Sequence, residues 1–165
     1  MDMGTFYFIT DKYFTDFPDD KLMTNKEYVN GKPHNRPCYY TFKDKANPIY
    51  WVIPISSQIS KFQGIYNKKV SQKGICDTIV FGYVLGEKKA FLIQNMCPVT
   101  DEYINNQYLD AASGNPVSIS TKLSKEIEDK AKKVLMLYKR GRTDLIFPNI
   151  TIIENQLLAK IKNNN

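Results

Sequence analysis

CYYTFKDKANPIYWVIPISS, residues 38–57, holds two apolar runs, Cys38–Phe42 and Ile49–Ile55, and closes on a pair of serines. Short runs rich in aromatic and β-branched residues read as strands. A third run, Ile75–Leu85, follows, and Gly86-Glu87-Lys88-Lys89 separates Ile79–Leu85 from Ala90–Met96 as a hairpin connection would. Upstream, Gly4–Ile9 (GTFYFI) reads as another strand, ending at Thr10, which is placed to cap a short helix through Phe17 before Pro18 breaks it. Asp19–Pro37 is polar, with Asn30-Gly31 as a turn signal and no apolar period, so it reads as a loop region. Val117–Ile119 adds a last short strand.

The period changes over Thr121–Arg140, where Leu123, Ile127, Ala131, Val134, Leu135 and Tyr138 recur at helical spacing and Gly141 ends the pattern. After Pro148, Ile150, Ile153, Leu157 and Ile161 give a second amphipathic helix. Both helices are expected to cover one sheet face. Hairpin-linked strands with no βαβ alternation predict an α+β fold, a compact antiparallel β-barrel or sheet core with surrounding helices.

A chain of 165 residues can bury one real core, so a single domain over residues 1–165 is expected, its tail from about residue 162 disordered. Aromatic residues make up 13% of the chain, with eleven Tyr and nine Phe. No stretch approaches the roughly 20 apolar residues of a membrane span, and the start lacks a signal-peptide pattern; a cytoplasmic protein with no membrane partner is expected. Cys38, Cys76 and Cys97 are odd in number and widely spaced, which suits neither a disulfide framework nor a CxxC metal site, so they are expected to be reduced and buried. His34 is the one histidine, which excludes chemistry needing two imidazoles.

Net charge is +6 and unevenly spread: residues 36–75 carry seven Lys or Arg against Asp44 alone, and residues 120–165 are also basic, around an acidic middle. Such asymmetry favours a polyanionic partner, because Lys and Arg that neutralise phosphates release counterions. A solvated basic surface is the alternative on charge alone.

No Walker loop, GxGxxG, HExxH, GxSxG or CxxC occurs, which closes the familiar cofactor routes, and no metal or cofactor is expected. Residues 32–69 instead gather His34, Arg36, Ser56, Ser57 and Lys61 with Lys32, Tyr39, Tyr40, Tyr66, Lys68 and Lys69. RNA brings its own nucleophile, the 2′-hydroxyl, so cleavage requires a group to take its proton, donors for the phosphorane oxygens and a proton for the leaving 5′-oxygen. Those side chains cover these roles, and aromatic faces suit unpaired bases. Each has an ordinary alternative: Ser56-Ser57 can end a strand or cap the helix containing Ile59 to Phe62, and Lys61 and His34 can be solvated.

On these residues the sequence resembles the ToxN/AbiQ family of type III toxins, its CptN-like branch above all. The resemblance lies in Phe6-Tyr7-Phe8-Ile9-Thr10-Asp11-Lys12-Tyr13, in Asn35-Arg36-Pro37 before Tyr39 and Tyr40, in Val52-Ile53-Pro54-Ile55-Ser56-Ser57, and in Asp144-Leu145-Ile146-Phe147-Pro148 ahead of a helix with Glu154 and Leu157-Leu158. It implies a fold like the Kid, MazF and CcdB toxins. It also implies metal-independent, sequence-selective RNA cleavage leaving 2′,3′-cyclic phosphate and 5′-OH ends. The implied partners are a small repeat-derived pseudoknot RNA antitoxin, cut by the toxin and closed with it into a ring, and cellular or phage mRNA as substrate. The implied role is phage abortive infection or maintenance. Ser57 matches the family's active-site serine, Ser56 its neighbouring threonine, Arg36 a basic residue before the second strand, and Lys61 a displaced post-serine lysine. The general base stays open between Lys61 and His34.

The resulting expectation is that Ser57, Ser56, Arg36, Lys61 and His34 form the catalytic set. Lys32, Tyr39, Tyr40, Tyr66, Lys68, Lys69 and the helix lysines Lys122, Lys125, Lys130, Lys132 and Lys133 would bind RNA. The rival readings are a non-catalytic RNA-binding module on the same core, and a toxin acting on a protein target.

Overall fold

The computed structural model describes residues 1–164. In chain order its elements are β1 (Phe6–Ile9), α1 (Asp11–Asp16), β2 (Lys26–Val29), β3 (Lys32–Asn35), β4 (Pro37–Lys43), β5 (Tyr50–Ser56), α2 (Ile59–Lys73), β6 (Ile79–Val84), β7 (Glu87–Leu92), β8 (Cys97–Val99), β9 (Ile104–Gln107), α3 (Thr121–Lys139) and α4 (Ile150–Asn163). Seven strands form one sheet ordered β6-β7-β5-β4-β1-β9, with β8 also on β5, and β2 and β3 form a separate hairpin. Every pairing is antiparallel.

The α+β class and the antiparallel core agree with the sequence expectation. The barrel does not: the ladder runs from β6 to β9 without closing. β5 is the hub, buried at all seven residues. One edge follows β4, whereas the other is shared between β8 at Tyr50–Val52 and β7 at Ile55–Ser56. Pro54, which has no N–H to give a ladder, stands at that change of partners.

Phe6, Tyr39 and Phe91 pack ring against ring at the centre, with centroids 5.2–6.2 Å apart. Helix α3 buries Ile127, Ala131, Val134, Leu135 and Tyr138, the stripe its period foretold, and Ser120 caps it by accepting the Leu123 N–H. It approaches the sheet so closely that a Cβ at Gly82 would lie 2.2 Å from Leu123 Cδ2, so any larger residue there would have to displace the Leu123 side chain. α3 lies against β4 and α4 against β8.

Several local expectations fail. The polar stretch 19–37 is not all loop: Asn30-Gly31 turns β2 into β3, both turn residues having positive φ. The next hairpin turns at Leu85-Gly86 rather than over Gly86–Lys89, so Glu87 to Lys89 already belong to β7. Thr10 precedes α1 without capping it through its side chain, and its hydroxyl is buried with no partner among the described residues. Val117–Ile119 forms no strand of its own, with Ser118 bridging Thr5 and the Val117 N–H donating to the Tyr108 carbonyl, whereas β8 and β9 were not foreseen. α4 runs to Asn163, and Asn165, in the tail expected to be disordered, lies outside the described residues. Cys38, Cys76 and Cys97 are free and buried, and burial pushes the Cys97 thiol up to about 12.

Candidate active site

β5 ends at Ser56, and the register Ile55 to Phe91, Ser56 to Ala90 carries on one step to set Ser57 beside Lys89 of β7. Ser57 Oγ accepts a hydrogen bond from Lys89 Nζ at 2.8 Å, and its backbone N–H donates to Glu27 Oε1 at 3.1 Å. Lys89 Nζ also lies 3.2 Å from Glu87 Oε2. Helix α2 starts two residues after Ser57, which places the positive end of a fifteen-residue helix next to the serine.

These groups line a cleft of about 660 Å³, walled by the β2–β3 hairpin, the β6–β7 turn and β1. His34, opposite Glu27 in the hairpin register, lines it and is exposed. Phe8 and Tyr108 contribute half-buried rings set edge to face at 5.5 Å. The cleft thus joins an imidazole, an ammonium and a hydroxyl with aromatic surface, and two carboxylates, Glu27 and Glu87, temper its charge.

Of the expected catalytic set, the structure brings Ser57, Ser56 and His34 into this cleft. Ser56 is buried, and its hydroxyl oxygen accepts the Gln58 N–H at the head of α2. Arg36 sits beneath the cleft rather than in it, 5% exposed. Its Nη1 donates to the Ile55 carbonyl at 2.8 Å, Nε donates to the Thr24 carbonyl at 3.0 Å, and Glu27 Oε2 lies 3.8 Å from Nη1. Arg36 therefore ties the hairpin to the end of β5, with Glu27 linking it to the Ser57 amide. Lys61 points elsewhere, exposed on α2 over the Phe62 ring.

The expected RNA-binding residues scatter. Tyr39 and Tyr40 are core: Tyr39 bonds Ser124 Oγ at 2.7 Å, Tyr40 packs on Tyr50, and burial raises both phenol pKa values. Tyr66 is half-buried against Phe81. Lys32 and Lys68 are exposed. Lys69 is half-buried and donates to Thr78 Oγ1 and Gln94 Oε1, and desolvation lowers its pKa. On α3, Lys122 is exposed, while Lys125, Lys130 and Lys132 pair with Asp129, Glu126 and Glu128 one turn away and Lys133 pairs with Asp77.

Lys89, Glu27, Phe8 and Tyr108 were missed. The signal for Lys89 was alternation: Glu87, Lys89 and Phe91 share one face of β7. Among the described residues, no group of three His, Cys, Asp or Glu side chains is placed to hold a metal ion.

No family model matches the chain, and no curated protein matches it. Solved structures do, six chains in all. One is AbiQ, described as a lactococcal anti-phage endoribonuclease belonging to the type III toxin-antitoxin system. It superposes with a TM-score of 0.68 over 96% of this chain and 98% of its own, at 18% identity. That likeness establishes the shared fold along nearly the whole length.

Proposed function

We propose that this chain is a metal-independent endoribonuclease toxin of a type III toxin-antitoxin system. The observation that supports this best is a hydroxyl, an ammonium and an imidazole around one cleft with aromatic walls, on the fold of a protein described as an anti-phage endoribonuclease. In the proposed reaction, the RNA 2′-oxygen bonds to phosphorus while the phosphorus to 5′-oxygen bond breaks. The 2′ proton passes to a ring nitrogen of His34, and the 5′-oxygen takes a proton from solvent. The products carry a 2′,3′-cyclic phosphate and a 5′-hydroxyl. Ser57 donates its hydroxyl hydrogen to a non-bridging oxygen, and Phe8 and Tyr108 hold neighbouring bases. A repeat-derived RNA antitoxin is the proposed partner, cut and then retained by the toxin, with a closed protein-RNA ring and phage defence as the wider role.

The test is incubation of RNA-free protein with a transcript of that repeat in EDTA, followed by fragment sequencing. Discrete cuts with cyclic-phosphate ends are expected, with Ser57→Ala slower by about 100-fold or more. Tight binding without cutting would replace this reading with the non-catalytic RNA-binding module.

A further inference from the structure

Lysine on a sheet surface ordinarily keeps its ammonium in water, because immobilising the long side chain costs rotamer entropy. Lys89 does not: its side chain is 18% exposed and ends between the Ser57 hydroxyl and the Glu87 carboxylate. Three features set it there. The two-residue turn at Leu85-Gly86 fixes the pairing of Gly82 with Lys89, and the period of two then puts Lys89 on the same face as buried Phe91. On its other edge β7 pairs with β5, and that register puts Lys89 beside Ser57. Lys88, its chain neighbour, faces the other way and covers the Phe81 ring.

Resting on the nuclease reading above, we propose that Lys89 is a catalytic residue of this cleft, its ammonium bearing on the non-bridging oxygens of the scissile RNA phosphate together with the Ser57 hydroxyl. An ammonium has three N–H groups. One is given to Ser57 Oγ and one faces Glu87, which leaves a third for the phosphate. Because Ser57 Oγ accepts from Lys89, its own hydrogen is left available as a second donor. The pair acts by charge stabilisation, with no change in protonation, so the bonds made and broken are those of the transesterification alone. This role falls to β7, across 32 positions of sequence, and not to Lys61 on the helix after the serines.

The experiment compares wild type, Lys89→Met, Lys89→Arg and Ser57→Ala in single-turnover cleavage of one RNA in EDTA. It uses a normal linkage and each phosphorothioate diastereomer at the cut site, with RNA affinity measured in parallel. Lys89→Met is expected to lose about 100-fold or more in rate, while affinity changes far less and Lys89→Arg recovers part of the rate. The slowing that one sulfur diastereomer causes in wild type should vanish in Lys89→Met. Either of two results overturns the proposal while leaving the nuclease intact: Lys89→Met cutting at the wild-type rate when Ser57→Ala does not, or Lys89→Met slowed with its sulfur effect unchanged. A wild-type protein that cuts no RNA overturns the nuclease reading, and this proposal with it.

Discussion

Helix α3 and the Ser57 cleft both looked basic in sequence, yet they use their charges in opposite ways. Along α3, five lysines face carboxylates, three of them at i,i+4 spacing, and such exposed pairs are worth little and are screened by salt. In the cleft, Lys89 is closest to a hydroxyl at 2.8 Å, with the Glu87 carboxylate farther off at 3.2 Å, and the buried guanidinium of Arg36 is spent on backbone carbonyls. A count of lysines therefore overstates α3 and overlooks the cleft. What matters is whether a cation's nearest partner already neutralises it.

The largest expected effect that sharpens this contrast on the stability side is at Arg36. Arg36→Met leaves two carbonyls without their donor and the Glu27 carboxylate without its cation. It should cost about 3 kcal/mol in denaturant unfolding, and cleavage should fall as the hairpin wall loosens. An unfolding midpoint equal to wild type would show that the hairpin is held by other contacts. Next comes Tyr39→Phe, which removes the hydrogen bond to Ser124 from a ring that is otherwise core. A loss of about 1 kcal/mol with unchanged RNA affinity is expected, and weakened RNA binding would return this tyrosine to the interface. The smallest effect belongs to Lys125, Lys130 and Lys132. Replacing all three by Ala should change the slope of log affinity against log salt by less than about 1, whereas three phosphate contacts would change it by about 2 to 3. The larger change would erase the distinction between the two regions.

How much could be read in advance follows burial. β5 was legible because it is apolar and every residue of it is buried, and α3 because one stripe of it is. The β2–β3 hairpin was invisible apart from its Asn-Gly turn, since its strands lie almost wholly in solvent and have no buried face to impose a period. In the site, Ser57 and His34 were named from local sequence. Lys89 and Glu27 were not, because each meets Ser57 through pairings 30 or more positions distant, set by register rather than by neighbourhood in the chain. Arg36 was named for its charge alone, for sequence marks a cation but not the carbonyls it will bond.

The face shared by Lys89 and Phe91 gives the hairpin a form of error correction. A slip of one residue between β6 and β7 would turn Lys88 toward the serine and Lys89 away from it, and would at the same time pull Phe91 out of its aromatic cluster. The misaligned chain would thus announce itself as an unstable one. Core packing proofreads the position of a lysine that contributes little to the core, and the accuracy of the site is inherited from the stability of the sheet.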